Sequence, residues 1–136
     1  MSEHYNTDYT RGEIDELLIK IKACVQENKY IVALNDKRQE NRSFIEKYNV
    51  YSTKLKAILL NLTTEDFCYS LNNLNPQYSD EILYVFVPIL TLYDESGLEN
   101  NLATYVKINL IEKRNSDLLI VISFHKLNKK VKYLFK

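Results

Sequence analysis

Glycine and proline are scarce in this 136-residue chain, 2 of each. So little turn material excludes a repeat-rich β-sandwich and a glycine-fingerprint nucleotide fold. Tryptophan is absent, and the 2 cysteines, Cys24 and Cys68, stand far apart without a CxxC neighbour. A disulfide framework needs more cysteines, and a zinc site needs Cys or His pairs at close spacing. Both thiols are therefore expected free and packed in the core, and no metal or other cofactor is expected. Neither sign of charge dominates: Lys plus Arg number 18, as do Asp plus Glu, for a formal net charge of zero. That removes the simple argument for a strongly basic nucleic-acid binder. The longest apolar stretch, Ile82 to Leu92, is too short to span a membrane and is broken by Pro88. No apolar run follows a basic start, so no signal peptide is read. The expectation is one soluble cytoplasmic domain over residues 1–136. The motifs GxxxxGK[ST], GxGxxG, HExxH and GxSxG do not occur.

Present in quantity are 11 Tyr and 14 Asn, a polar-aromatic inventory suited to binding. Charge is also unevenly placed. Residues 1–106 hold 10 Lys or Arg against 16 Asp or Glu, a net of −6. Residues 107–136 hold 8 against Glu112 and Asp117, a net of +6. A basic C-terminal segment points to a polyanion-facing surface or to a solvated end.

The N-terminal third reads as helix. Thr10 and Glu13 have capping-box spacing, and Ile14, Leu17, Leu18, Ile21 and Val25 follow at helical intervals. Tyr30–Leu34 reads as an edge strand or an extended link, Arg38–Tyr48 as a second helix, and Ser52 opens a third. Thr63 caps a brief helical turn through Glu65, Asp66 and Phe67. Asn75-Pro76 breaks any helix, and three strands follow: Ile82–Leu90, Thr104–Ile111 and Leu118–His125. Helices followed by an antiparallel meander give an α+β fold, with N-terminal helices on a C-terminal antiparallel sheet. The tail Leu127–Lys136, with alternating Val131, Tyr133 and Phe135, has the pattern of a further edge strand. His4 reads as exposed, and the acid pairs Glu65-Asp66 and Asp80-Glu81 as caps or solvated surface.

Strand alternation sharpens this. Matching apolar faces pairs Val106 with Phe124, Ile108 with Ile122 and Leu110 with Ile120. The same register sets Tyr105 opposite His125 and Lys107 opposite Ser123, with Cβ atoms roughly 5 Å apart. An imidazole titrates nearest neutrality and serves as general acid or base. An ammonium stabilises phosphate charge, and a phenol stacks on a base or bonds a ribose. The plainer alternative is a set of solvated residues on an exposed strand face.

With these residues laid out, the chain resembles the MqsR family, toxins of type II toxin–antitoxin systems. The matching stretches are Ile58–Phe67, Tyr84–Pro88, Tyr105–Ile108 and Leu119–His125, in that order. The resemblance implies a RelE-like fold and an mRNA interferase, an endoribonuclease that cleaves single-stranded mRNA without metal. A ribose 2′-hydroxyl attacks the adjacent phosphate, and a cognate antitoxin protein neutralises the toxin. On this resemblance Tyr105 falls on the family's strand tyrosine. His125 and Tyr69 stand where the best-known member has lysines, and Leu83 where it has glutamine. The expected catalytic residues are His125, Tyr105 and Lys107, and the expected substrate contacts are Tyr69, Lys126 and Ser123. The acidic loop Asp94–Glu99 is read as solvated or as an antitoxin contact. The rival reading is a non-catalytic protein-interaction module or inhibitor on a toxin-like fold.

Overall fold

The structure, a computed structural model, describes residues 5–72, 76–78, 81–114 and 116–136. His4, Asn75 and Asp80 lie outside the described residues. Helix α1 (Arg11–Gln26) starts as its capping box requires: the Thr10 hydroxyl accepts from Glu13 N, and Glu13 Oε1 accepts from Thr10 N at 2.8 Å. It buries Ile14, Leu18, Ile21, Cys24 and Val25. Helix α2 (Gln39–Tyr48) ends at Asn49, whose φ of 54° is the left-handed stop that asparagine tolerates. Helix α3 (Ser52–Leu60) follows, and then a short 3-10 turn over Thr64–Asp66.

Six strands form a mixed sheet: β1 (Tyr30–Val32), β2 (Phe67–Asn72), β3 (Ile82–Phe86), β4 (Ile89–Tyr93), β5 (Glu99–Ile111) and β6 (Leu118–Lys126). The order is β1-β6-β5-β3-β2, with β4 also pairing β5. The α+β class is as expected, and β3 through β6 form the expected antiparallel meander. Two departures make the sheet larger. Strand β1 joins β6 in parallel, and β2 pairs with β3 on the other side. The Phe67–Leu71 run is buried at every position, so it has no alternation by which a strand is recognised. The expected strand Ile82–Leu90 is interrupted at Val87-Pro88, yet its register against β5 runs unbroken through both halves. Pro88 supplies no N–H, but its carbonyl accepts from Thr104 N at 2.9 Å, so β3 and β4 act as one bent strand.

The β5–β6 register is as expected from Thr104 to Lys107 and then slips. Val106 faces Phe124, but Ile108 faces Val121 and Leu110 faces Leu119. One extra residue, Ile122, is bulged out of β6, so alternation reverses beyond it. Leu119 and Val121, rather than Ile120 and Ile122, enter the helix-side core. Asn41 of α2 fills the bulge. Its amide donates to Ile122 O and Ala33 O, and its Oδ1 accepts from Phe124 N, at 2.8 to 2.9 Å. Polar satisfaction of this kind is what allows an asparagine to sit in a core at 1% exposure.

The helices cover one sheet face, where Phe44 meets Phe124 edge-on at 5.6 Å and Phe67 meets Phe86 at 5.3 Å. A second core on the opposite face holds Cys68, Tyr69, Leu71, Leu83, Val85, Val87 and Tyr105. The C-terminal tail covers it without forming the strand its alternation suggests. Leu127 N bonds Ala103 O, Tyr133 Oη donates to Val87 O, and Leu134 N reaches Phe67 O. Leu127, Val131 and Tyr133 thereby cap the apolar face.

Candidate active site

The bulge leaves the upper part of the register intact, so Tyr105 and His125 do face each other across β5 and β6. Their rings stack, with centroids 5.4 Å apart and planes inclined by 22°. Because β1 pairs only with residues 119–121, β6 is the sheet edge where His125 stands. The imidazole there borders a groove of about 430 Å³ between α2 and the end of β6. Phe44 and Tyr48 contribute its apolar wall, and Glu40, Lys47 and Lys126 its charges.

The side chain of His125 is 13% exposed, so it is covered without being sealed. Its Nδ1 lies 2.9 Å from Lys126 O and 3.7 Å from Glu40 Oε2. A carbonyl only accepts, so this bond assigns the proton of the neutral ring to Nδ1 and leaves the lone pair on Nε2. Glu40 stands on the Nδ1 side of the ring. Asn128 donates to the same Glu40 oxygen at 3.2 Å.

The other expected residues divide by position. Tyr105 is only 4% exposed. Its hydroxyl bonds that of Tyr69, and burial together with this bond raises the Tyr69 phenol well above its ordinary range. Both phenols therefore lie within the second core, next to the imidazole. Lys107 and Ser123 oppose each other further along β5 and β6; Ser123 is buried and Lys107 half-buried. Lys126 is exposed on the groove rim with His125. Leu83 is buried in the second core. Cys24 and Cys68 are free and buried, and burial pushes the Cys68 thiol up to about 12. No group of three or more His, Cys, Asp or Glu side chains is gathered as metal ligands among the described residues.

Residues that sequence reasoning did not single out complete the cluster. Lys129 holds its ammonium 4.9 Å from the Tyr105 ring centroid and 5.9 Å from that of Tyr5. Tyr5 in turn lies 4.4 Å from the Tyr69 ring. Glu40 and Asn41 carried one legible signal. Asn41, Phe44, Ile45 and Tyr48 follow at helical spacing, so Asn41 is a polar residue on the apolar stripe of α2. The acidic loop resolves as a turn: Asp94 Oδ1 accepts from Ser96 N, Ser96 Oγ and Leu98 N, which holds its carboxyl below the usual range.

Comparison with known proteins returns no match: no family model fits the chain, and no curated protein or solved structure is significantly similar to it. Among the described residues no helix is long and apolar enough to cross a membrane.

Proposed function

We propose that this chain is a metal-independent endoribonuclease on a RelE-like fold, an mRNA interferase toxin neutralised by a cognate antitoxin protein. The observation that carries the reading is the His125–Tyr105 stack, whose imidazole borders a groove and keeps Nε2 for a ligand. Nε2 takes the proton from a ribose 2′-hydroxyl, whose oxygen attacks the adjacent phosphorus. The bond from phosphorus to the 5′-oxygen breaks, that oxygen takes a proton from solvent water, and a 2′,3′-cyclic phosphate remains. Lys126, on the rim, is the group for the charge that develops on the phosphate. Tyr105 is too covered to serve as an open ribose contact, so its part is to fix the ring by stacking. The resemblance of Tyr105–Ile108 and Leu119–His125 to the MqsR toxins supports the same chemistry.

The burial of Tyr105 and Ser123 favours a second reading, a non-catalytic interaction module in which the stack only seals the sheet. One experiment decides. Purified protein is incubated with single-stranded RNA in the presence of EDTA, beside His125→Ala, and growth is followed after induced expression of each. The nuclease reading expects cleavage to cyclic-phosphate ends and growth arrest, both lost in His125→Ala, at a stability cost of about 1 kcal/mol for the lost stack. Intact RNA with the wild-type chain overturns the nuclease reading and favours the interaction module.

A further inference from the structure

A second cavity, about 550 Å³, opens on the sheet face opposite the helices, between the N-terminal segment, β2 and the C-terminal tail. Its walls include Tyr5, Tyr69 and Tyr133 with Val131, and Lys130 and Lys132 border it; among the described residues no Asp or Glu lines it. Tyr5 is 51% exposed and stands beside the buried Tyr69, their ring centroids 4.4 Å apart. Lys129 lies over Tyr5 and Tyr105, and Tyr105 stacks on His125, so side-chain contacts link the wall of the cavity to that stack. Lys136 is held similarly, 4.8 Å from the Tyr133 ring centroid. Aromatic faces bordered by ammonium groups and free of acids are complementary to a flat ring carrying a phosphodiester. Proteins that hold single strands combine these two features, because every base has a face to stack and every linkage a charge.

We propose that this cavity is a nucleobase subsite for single-stranded RNA, with one base against Tyr5 and its flanking phosphates toward Lys130 and Lys132. The inference rests on the ribonuclease reading for its choice of RNA, but the stacking geometry is independent of His125 chemistry. Its place on the same face as Tyr105 makes it the station for a nucleotide away from the scissile bond. Stacking is tolerant of sequence, so the subsite adds affinity for unpaired strands more than base preference.

The test measures binding apart from cleavage. The probe is a fluorescein-labelled, mixed-sequence 2′-O-methyl RNA decamer, which lacks the nucleophilic hydroxyl, and the readout is fluorescence anisotropy across a salt series. The wild-type chain is expected to bind it more tightly than the same decamer in a duplex. Tyr5→Ala, at an exposed position, should weaken binding about tenfold without moving the unfolding midpoint. Lys130→Gln with Lys132→Gln should weaken it and flatten the salt dependence. The proposal is overturned if the wild type does not bind the decamer, if Tyr5→Ala binds as well as wild type, or if poly-glutamate displaces the decamer equally well. Cleavage of unmodified RNA without any Tyr5 effect removes the subsite and leaves the nuclease. A Tyr5-dependent complex with no cleavage removes the nuclease and leaves the subsite.

Discussion

At the scale of single residues, two side chains on α2 govern what His125 can do. Glu40 sits 3.7 Å from Nδ1 and is solvent-exposed, so it can help to position the ring. On the proposed ribonuclease function, Glu40→Gln is expected to slow RNA cleavage about tenfold, a change of about 1.4 kcal/mol in the barrier, while KM stays constant. Asn41, one residue on, acts through the backbone. Asn41→Leu leaves Ile122 O, Phe124 N and Ala33 O without their partner in a buried setting. The expected cost is about 3 kcal/mol in urea unfolding, with cleavage reduced as well because Phe124 leads directly into His125. A stability near wild type would show that the bulge does not depend on this amide.

At the scale of elements, the tail and the edges of the sheet carry the second core. The tail has the alternation of a strand but makes only isolated backbone bonds, and side chains hold it in place. Tyr133 is the clearest anchor: its hydroxyl donates to Val87 O at 2.6 Å, beside the break between β3 and β4. Tyr133→Phe should cost about 1 kcal/mol in chemical denaturation and speed hydrogen exchange at the Leu134 amide. At the other edge, Asn6 exchanges two backbone bonds with Ser70, which covers part of the open side of β2. The loop between β4 and β5 needs no partner to explain its acids. Asp94 serves the turn, and Gly97 takes a φ of 80° that other residues rarely adopt.

At the scale of the whole molecule, two cores on opposite faces of one sheet make stability sensitive to alkaline pH. Burial raises the Cys68 thiol from 9.0 to about 12 and also raises the Tyr69, Tyr84 and Tyr133 phenols. For a group raised in the folded state, the unfolded chain loses its proton first. Its contribution is therefore complete below the unfolded value and is lost as pH climbs through the folded one. The urea midpoint should fall between about pH 9 and 12, and Cys68→Ala should make that fall shallower. An unchanged slope in Cys68→Ala would assign the loss to the phenols. The neutral total conceals a net +6 over residues 107–136, which includes Lys126 on the groove rim and Lys130 and Lys132 beside the second cavity.

Much of this was legible in the amino-acid order because it depends on local chemistry. The Thr10–Glu13 box, the apolar stripe of α1, the three helices and the strand alternation that sets Tyr105 against His125 all act over short range. The bulge at Ile122 was not legible, since the amide that fills it comes from a helix distant in sequence. Nor was β2, whose burial on both faces removes its period, or the tail's course over the second core, which side-chain packing decides against the pattern. Sequence alone determined which side chains alternate together. Only the assembled sheet decided how far each ring is covered and which helix reaches it, because burial depends on all neighbours at once.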